Sequence, residues 1–158
     1  MLTTGVRVHE VVGITCSDID LQTLSIRVLG KGRRERHVFL PNSWLAALAR
    51  TYLEVRSELD ISHAQFLFNA LYDPLTTEAM RSRLGKAADA AGLSLRITPH
   101  MLRHTAATQL IEAGVDIRYI QRLLGHASLT TTELYTHVSD EALRRVVTAA
   151  DTLERMMH

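Results

Sequence analysis

The stretch Leu24-Ser-Ile-Arg-Val-Leu-Gly-Lys-Gly-Arg-Arg-Glu-Arg-His-Val-Phe-Leu40 decides the fold. Leu24, Ile26 and Val28 alternate with polar positions, the two-residue period of a strand with one buried face. Gly30-Lys31-Gly32 interrupts that run, and His37–Leu40 resumes it. Two short strands around a glycine-rich basic turn predict a β-hairpin. On either side of it the periodicity is helical.

Upstream, Val6–Ile14 reads as a short apolar helix that holds Arg7 in largely buried surroundings. Downstream, Pro41-Asn42-Ser43 opens a helix carrying Leu45, Leu48, Tyr52, Val55 and Leu59 at helical spacing. Phe66–Phe68 is a short apolar run, and Asp73-Pro74 marks a loop. Thr76–Ala91 is the next helix, stopped by Gly92. Thr98-Pro99 is a strong helix start, a capping hydroxyl followed by proline at the first helical position. That helix runs to about Ala113 and ends at Gly114. Asp116 caps a shorter helix ending at Gly125, Ser128–His137 reads as another, and Ser139–Met157 is amphipathic. The expected fold is α+β: mainly α, with a small antiparallel hairpin or three-stranded sheet, in one domain spanning 1–158 and closed by a tail helix over 138–158.

Composition narrows the function classes. The chain has 158 residues, 46% apolar and 22% charged, which fits a soluble globular domain and excludes a disordered one. No apolar run approaches the roughly 20 residues of a membrane-spanning helix, and the N-terminus lacks a secretory pattern. The single cysteine, Cys16, allows no internal disulfide, fits a reducing compartment such as the cytoplasm, and reads as a small buried filler. Net charge is only +1, but positive charge gathers in Lys31–Arg36, Arg81–Lys86 and Arg96–Arg103. A basic face on a nearly neutral protein can bind phosphate, which makes Arg33, Arg34, Arg36 and Arg96 candidate contacts to a phosphate backbone. Arginine supplies 16 of the 18 basic residues, leaving lysine only at Lys31 and Lys86.

Four segments carry the chemistry: Gly5-Val-Arg-Val-His-Glu10, Gly30-Lys-Gly32, His100-Met-Leu-Arg103, and Leu124-Gly-His126 followed by Tyr135. In identity, order and spacing they resemble the tyrosine recombinases of the phage integrase family. That pattern is an arginine in a Gly-x-Arg-x-x-Glu helix, a hairpin lysine, His-x-x-Arg, Leu-Gly-His, and a tyrosine nine residues on. Single pieces such as Leu-Gly-His are weak signals; the joint match over most of the chain is a strong one.

The resemblance implies a DNA strand-transferring enzyme with Tyr135 as nucleophile and Arg7, Lys31, His100, Arg103 and His126 as its catalytic partners. Attack on a phosphodiester builds negative charge on the non-bridging oxygens, and two guanidiniums, Arg7 and Arg103, can clamp it while staying charged. A phenol with an ordinary pKa of about 10 needs such neighbours to ionise. Lys31 takes the general-acid role at the 5′-oxygen leaving group, a task that arginine, which does not release its proton, cannot perform. The plain alternatives are a solvated turn lysine for Lys31 and a half-buried tyrosine for Tyr135. His100 falls in the first turn after Thr98-Pro99, where free backbone N–H groups favour an anion. His126 is implied to hydrogen-bond the phosphate. Glu10 is read as orienting Arg7 or Lys31, with a helix-surface ion pair as the alternative.

His104, four residues beyond His100, invites a zinc reading, but the segment has no glutamate base and sets an arginine among the ligands. His104 is instead expected at a helix interface. No metal or cofactor is implied. By the same resemblance the partner is double-stranded DNA at paired sites in the bacterial nucleoid, bound by a homotetramer whose tail helix is either exchanged between protomers or packed at home. Helices ahead of the Gly-x-Arg segment and an N-terminal DNA-clamping domain belong to the family pattern, so the resemblance implies an N-terminally truncated chain. A type IB topoisomerase, and a DNA-binding remnant inactive in isolation, are the competing readings.

Overall fold

A computed structural model describes residues 1–30, 32, 34–125 and 140–150 of the chain. Its elements are α1 (Val8–Gly13), a 3-10 turn (Cys16–Asp18), β1 (Ile19–Asp20), β2 (Ser25–Leu29), β3 (Glu35–Phe39), α2 (Ser43–Ser57), α3 (Thr77–Ala90), α4 (Pro99–Glu112), α5 (Ile117–Leu124) and α6 (Asp140–Ala150). The helix expected over Ser128–His137 lies outside the described residues.

The hairpin forms as its period-2 pattern predicts. β2 and β3 pair antiparallel with Ile26 opposite Val38, Arg27 opposite His37 and Val28 opposite Arg36. The short β1 adds a third strand on the far side of β2, so the sheet order is β1-β2-β3. Val28 and Val38 are each 1% exposed, which fixes their face of the sheet as the core face. By strand alternation Arg36, two residues before Val38, stands on that same face.

The helix boundaries follow local chemistry. Thr98 caps α4 by accepting from the Met101 N–H at 3.3 Å, with Pro99 at the first helical position. Asp116 caps α5 through the Arg118 N–H at 2.8 Å, and Gly125, at φ +64°, closes it in a left-handed conformation. At the chain start Gly5, at φ +61°, interrupts the backbone, and α1 begins at Val8 rather than Val6. Arg7 is therefore the residue that leads into α1, not a residue within it.

The core joins Val6, Val28, Val38 and Phe39 to Leu110 of α4, to Ile120, Leu123 and Leu124 of α5, and to Leu143, Val147 and Ala150 of α6. The described part of the tail thus covers this chain's own core: Leu143 is 1% exposed and Val147 3%.

α2 stands apart from this core, and two expectations, those for His104 and Cys16, are corrected. α2 forms, but none of its residues is buried, and Leu48 and Val55 stand half exposed beside Trp44. Its inner side makes a local aromatic cluster instead, with Tyr52 packed on Phe66 and Phe68 at ring-centre distances of 4.7 and 5.5 Å. His104 is exposed, because α4 turns Arg103, Ala106 and Leu110 inward and leaves position 104 outside that stripe. Cys16 is only half-buried, at the start of the 3-10 turn, where its N–H donates to the Ala64 carbonyl at 3.0 Å.

Candidate active site

Four elements bring their ends together at the C-terminus of α5. Helix C-termini present unpaired carbonyls and the negative end of the helix dipole, so they attract cations. Here three guanidiniums answer. Arg103 of α4 donates from Nη2 to the Leu124 carbonyl at 2.7 Å and from Nη1 to the Gly5 carbonyl. Arg36 of β3 donates from Nε to the Leu123 carbonyl at 2.8 Å. Arg7 donates from Nη1 to the Leu124 carbonyl at 3.4 Å.

One carboxylate, Glu10 of α1, sits among them with its side chain fully buried. Arg36 grips it in a two-pronged pair, Nη1 to Oε1 and Nη2 to Oε2, both at 2.8 Å. Glu10 Oε2 also accepts from the Arg7 N–H at 2.7 Å. The Arg7 guanidinium itself makes only a long contact, Nη1 to Oε1 at 3.3 Å. Burial alone would raise the Glu10 pKa, but the Arg36 hydrogen bonds, the Arg7 N–H and both positive charges together hold it below its ordinary value. Burial, aided by repulsion from Arg7 and Arg36 and opposed by Glu10, lowers Arg103 to about 10, so it remains a cation at neutral pH.

Two glycines permit this approach. A Cβ on Gly5 would overlap the Leu124 side chain, and one on Gly125 would lie 3.1 Å from Arg36 Nη1. Both also hold positive φ, so a larger residue meets strain and collision at once.

The predicted residues are placed as follows. Arg7, Glu10 and Arg103 come together at the end of α5. His100 lies one turn before Arg103 in the first turn of α4 and is exposed. Arg34 and Arg96 are exposed. Arg36, expected among the DNA contacts, is instead turned inward, with its side chain 11% exposed and its guanidinium committed to Glu10 and Leu123. The cause is strand parity with Val38, a signal already present in the hairpin pattern. Glu10 accordingly pairs mainly with Arg36, a partner the motif reading missed. Lys31, Arg33, His126 and Tyr135 lie outside the described residues.

Three cations around one carboxylate leave an excess of positive charge, and Arg7 keeps 30% of its side chain exposed. Such an arrangement suits an oxyanion arriving from solvent. Among the described residues no group of three His, Cys, Asp or Glu side chains could hold a metal ion, and no helix is long and apolar enough to cross a membrane.

The sequence profile of the phage integrase family matches residues 1–142. A tyrosine recombinase XerC of Listeria welshimeri is 47% identical over 146 residues, covering 89% of this chain and 48% of the relative. A tyrosine recombinase XerC of Corynebacterium glutamicum is 42% identical over 140 residues, covering 89% of this chain and 45% of the relative. The chain thus spans about half the length of these relatives. Among solved structures, the XerA recombinase superposes with a TM-score of 0.75 at 38% identity, covering 93% of this chain and 54% of that one. The XerH site-specific recombinase bound to difH substrate, in a pre-cleavage complex, superposes at 0.71 with 29% identity, over 93% of this chain and 43% of that one.

Proposed function

The chain belongs to the phage integrase family, and on that premise we propose that it is the catalytic portion of a site-specific DNA recombinase acting through Tyr135. The observation that carries the reading is the meeting of Arg7 and Arg103 on the Leu124 carbonyl, two guanidiniums from separate elements converging where a scissile phosphate would be clamped. Preorganised donors of this kind commonly matter a great deal, since removal of one costs about 2.7–4 kcal/mol of transition-state stabilisation.

In the proposed reaction the Tyr135 oxygen attacks phosphorus and passes its proton to solvent while the bond from phosphorus to the 5′-oxygen breaks. Lys31 gives a proton to the departing oxygen, leaving a 5′-hydroxyl and a 3′-phosphotyrosyl bond. A 5′-hydroxyl of the partner strand then attacks that phosphorus, and Tyr135 leaves and recovers a proton. Each phosphorus–oxygen bond broken is matched by one formed, so the cycle runs without ATP, net hydrolysis or cofactor. His100 and His126 hold the non-bridging oxygens, and Arg33, Arg34 and Arg96 contact the DNA backbone.

The XerH recombinase bound to its difH substrate, before and after cleavage, supports a double-stranded DNA partner for this chain. We further propose a homotetramer on paired sites, working on nucleoid DNA in the cytoplasm. Handing the tail to a neighbour would first expose Leu143 and Val147, at roughly 1.5–3 kcal/mol for each side chain, so exchange needs an equivalent surface on the receiving protomer.

The test is covalent capture. The chain is mixed with a library of nicked duplexes of randomised sequence, in which cleavage releases a short fragment and cannot reverse. A denaturant-resistant protein–DNA adduct, with a common sequence among captured duplexes, is the expected result. Absence of any adduct favours a binding remnant, and relaxation of supercoiled plasmid without exchange between two captured sites favours a topoisomerase. Lys31→Arg should slow cleavage strongly, and replacement of the bridging 5′-oxygen by sulfur should largely restore it. Equal defects on both substrates remove Lys31 from the general-acid role.

A further inference from the structure

We propose that Arg36 is a positioning residue that occupies Glu10 and thereby keeps the Arg7 guanidinium available to an oxyanion. Two arginines compete for one carboxylate. Glu10 is fully buried and charged, and a buried carboxylate takes the best cation within reach. Arg36 holds both of its oxygens at 2.8 Å, whereas the Arg7 guanidinium reaches it only at 3.3 Å. Arg7 is nonetheless anchored beside it, since its own N–H donates to Glu10 at 2.7 Å. With Arg36 gone, the nearest replacement is Arg7, whose planar fork can close on the carboxylate as a two-pronged pair. Arg7 would then spend on Glu10 the donors that should face a phosphate.

The surroundings fit a built device. Arg36 is held from its other side by the Leu123 carbonyl, its guanidinium packs where only a glycine at position 125 leaves room, and strand register with Val28 delivers it to the core face. Arg103 is anchored on the Gly5 and Leu124 carbonyls, which leaves Arg7, already in contact with Glu10, as the nearer replacement. Arg36 therefore acts through Glu10 on Arg7 and need not touch DNA.

The choice of phosphate as the oxyanion rests on the strand-transfer reading, so the test has one arm that depends on it and one that does not. The variants are Arg36→Met, Glu10→Gln and the double variant. In the first arm, single-turnover cleavage is followed on a nicked duplex recovered by capture. In the second, inorganic phosphate is titrated into the full chain and followed by nitrogen NMR of the arginine side chains, with the Arg7 signal assigned through Arg7→Lys. Arg36→Met should cleave about 10²–10³-fold more slowly, the loss typical of removing one oxyanion donor. Its Arg7 signal should lose response to phosphate, with affinity down by about tenfold, a range usual for contacting groups.

The double variant decides between positioning and scaffolding. Neutralising Glu10 frees Arg7, so the double variant should recover to the level of Glu10→Gln alone in both arms. If Arg36→Met behaves as the parent chain, or the double variant is no better than Arg36→Met, the proposal is wrong. Should Arg36→Met fail to fold, a double variant that folds and responds like Glu10→Gln still supports it, and one that also fails to fold overturns it. Should the parent chain bind phosphate and cleave no duplex, the recombinase reading falls and the phosphate arm alone judges Arg36.

Discussion

Two of the hairpin's arginine–carboxylate pairs differ in almost everything except their chemistry. On the core face, Arg36 of β3 grips Glu10 with side chains 11% and 0% exposed. On the outer face, Arg27 of β2 reaches Glu35 of β3 at 3.1 Å, with side chains 43% and 54% exposed. Water competes for the outer pair and has been removed from the inner one. Exposed pairs therefore contribute about 0–1 kcal/mol, whereas breaking a buried pair by removing one partner costs about 3–5 kcal/mol. Much of that cost is the charge left behind. The inner pair is placed where the arginines of the candidate site meet, so its loss should register in activity as well as in stability.

The largest effect should come from Glu10→Ala. It leaves Arg36 and Arg7 without their shared counter-charge, and unfolding in urea should show a loss of about 3–5 kcal/mol. A loss below about 1 kcal/mol would mean that water reaches the pair and that the contrast between the faces is false.

Acid should separate the faces next. The Glu10 pKa is lowered in the folded chain, so its contribution is fully present above the unfolded value and is lost as pH falls through the folded one. Asp18, which pairs with Arg27 at 2.7 Å, is also lowered, burial opposing and the Thr15 and Arg27 contacts prevailing, so it sheds stability in the same direction. The informative quantity is the difference between the parent chain and Glu10→Gln. That difference should be constant above about pH 4.5 and shrink below it. A difference independent of pH down to the acid transition would place the effect of Glu10 in packing rather than in charge.

Glu35→Gln should do least. Arg27 keeps Asp18, the pair is open to solvent, and the change in stability should stay within about 1 kcal/mol and vanish at high salt, as screened surface pairs do. An effect as large as that of Glu10→Ala would again erase the contrast.

The same contrast separates what the amino-acid sequence makes legible from what it hides. Alternation of Ile26, Val28 and Val38 places the hairpin, and Thr98-Pro99, Asp116 and Gly125 place the ends of α4 and α5, because strand parity and caps act locally. Arg7 and Arg103 are legible because their spacing pattern is shared with a known family. Arg36 misleads because it lies in a run of basic residues, Lys31–Arg36, that looks like a phosphate-binding face. Counting by twos from Val38 turns it inward, toward a carboxylate that only tertiary contact can name. α2 is legible as a helix and no further: helical spacing of Leu48 and Val55 says that they share a side, not that another element covers it. The carbonyls of Leu123 and Leu124 leave no trace in side-chain pattern at all, since a backbone acceptor is the same in every residue.

Tyr135 as the nucleophile toward phosphorus is the claim on which the proposed chemistry stands. Its most direct test is to digest the captured protein–DNA adduct with protease and nuclease and to locate the retained nucleotide by mass spectrometry. The phosphate should sit on the peptide containing Tyr135, joined through the tyrosine oxygen to a 3′-nucleotide, and Tyr135→Phe should yield no adduct while its melting temperature stays close to that of the parent chain. A nucleotide retained on any other residue, or an adduct that persists in folded Tyr135→Phe, would contradict the assignment.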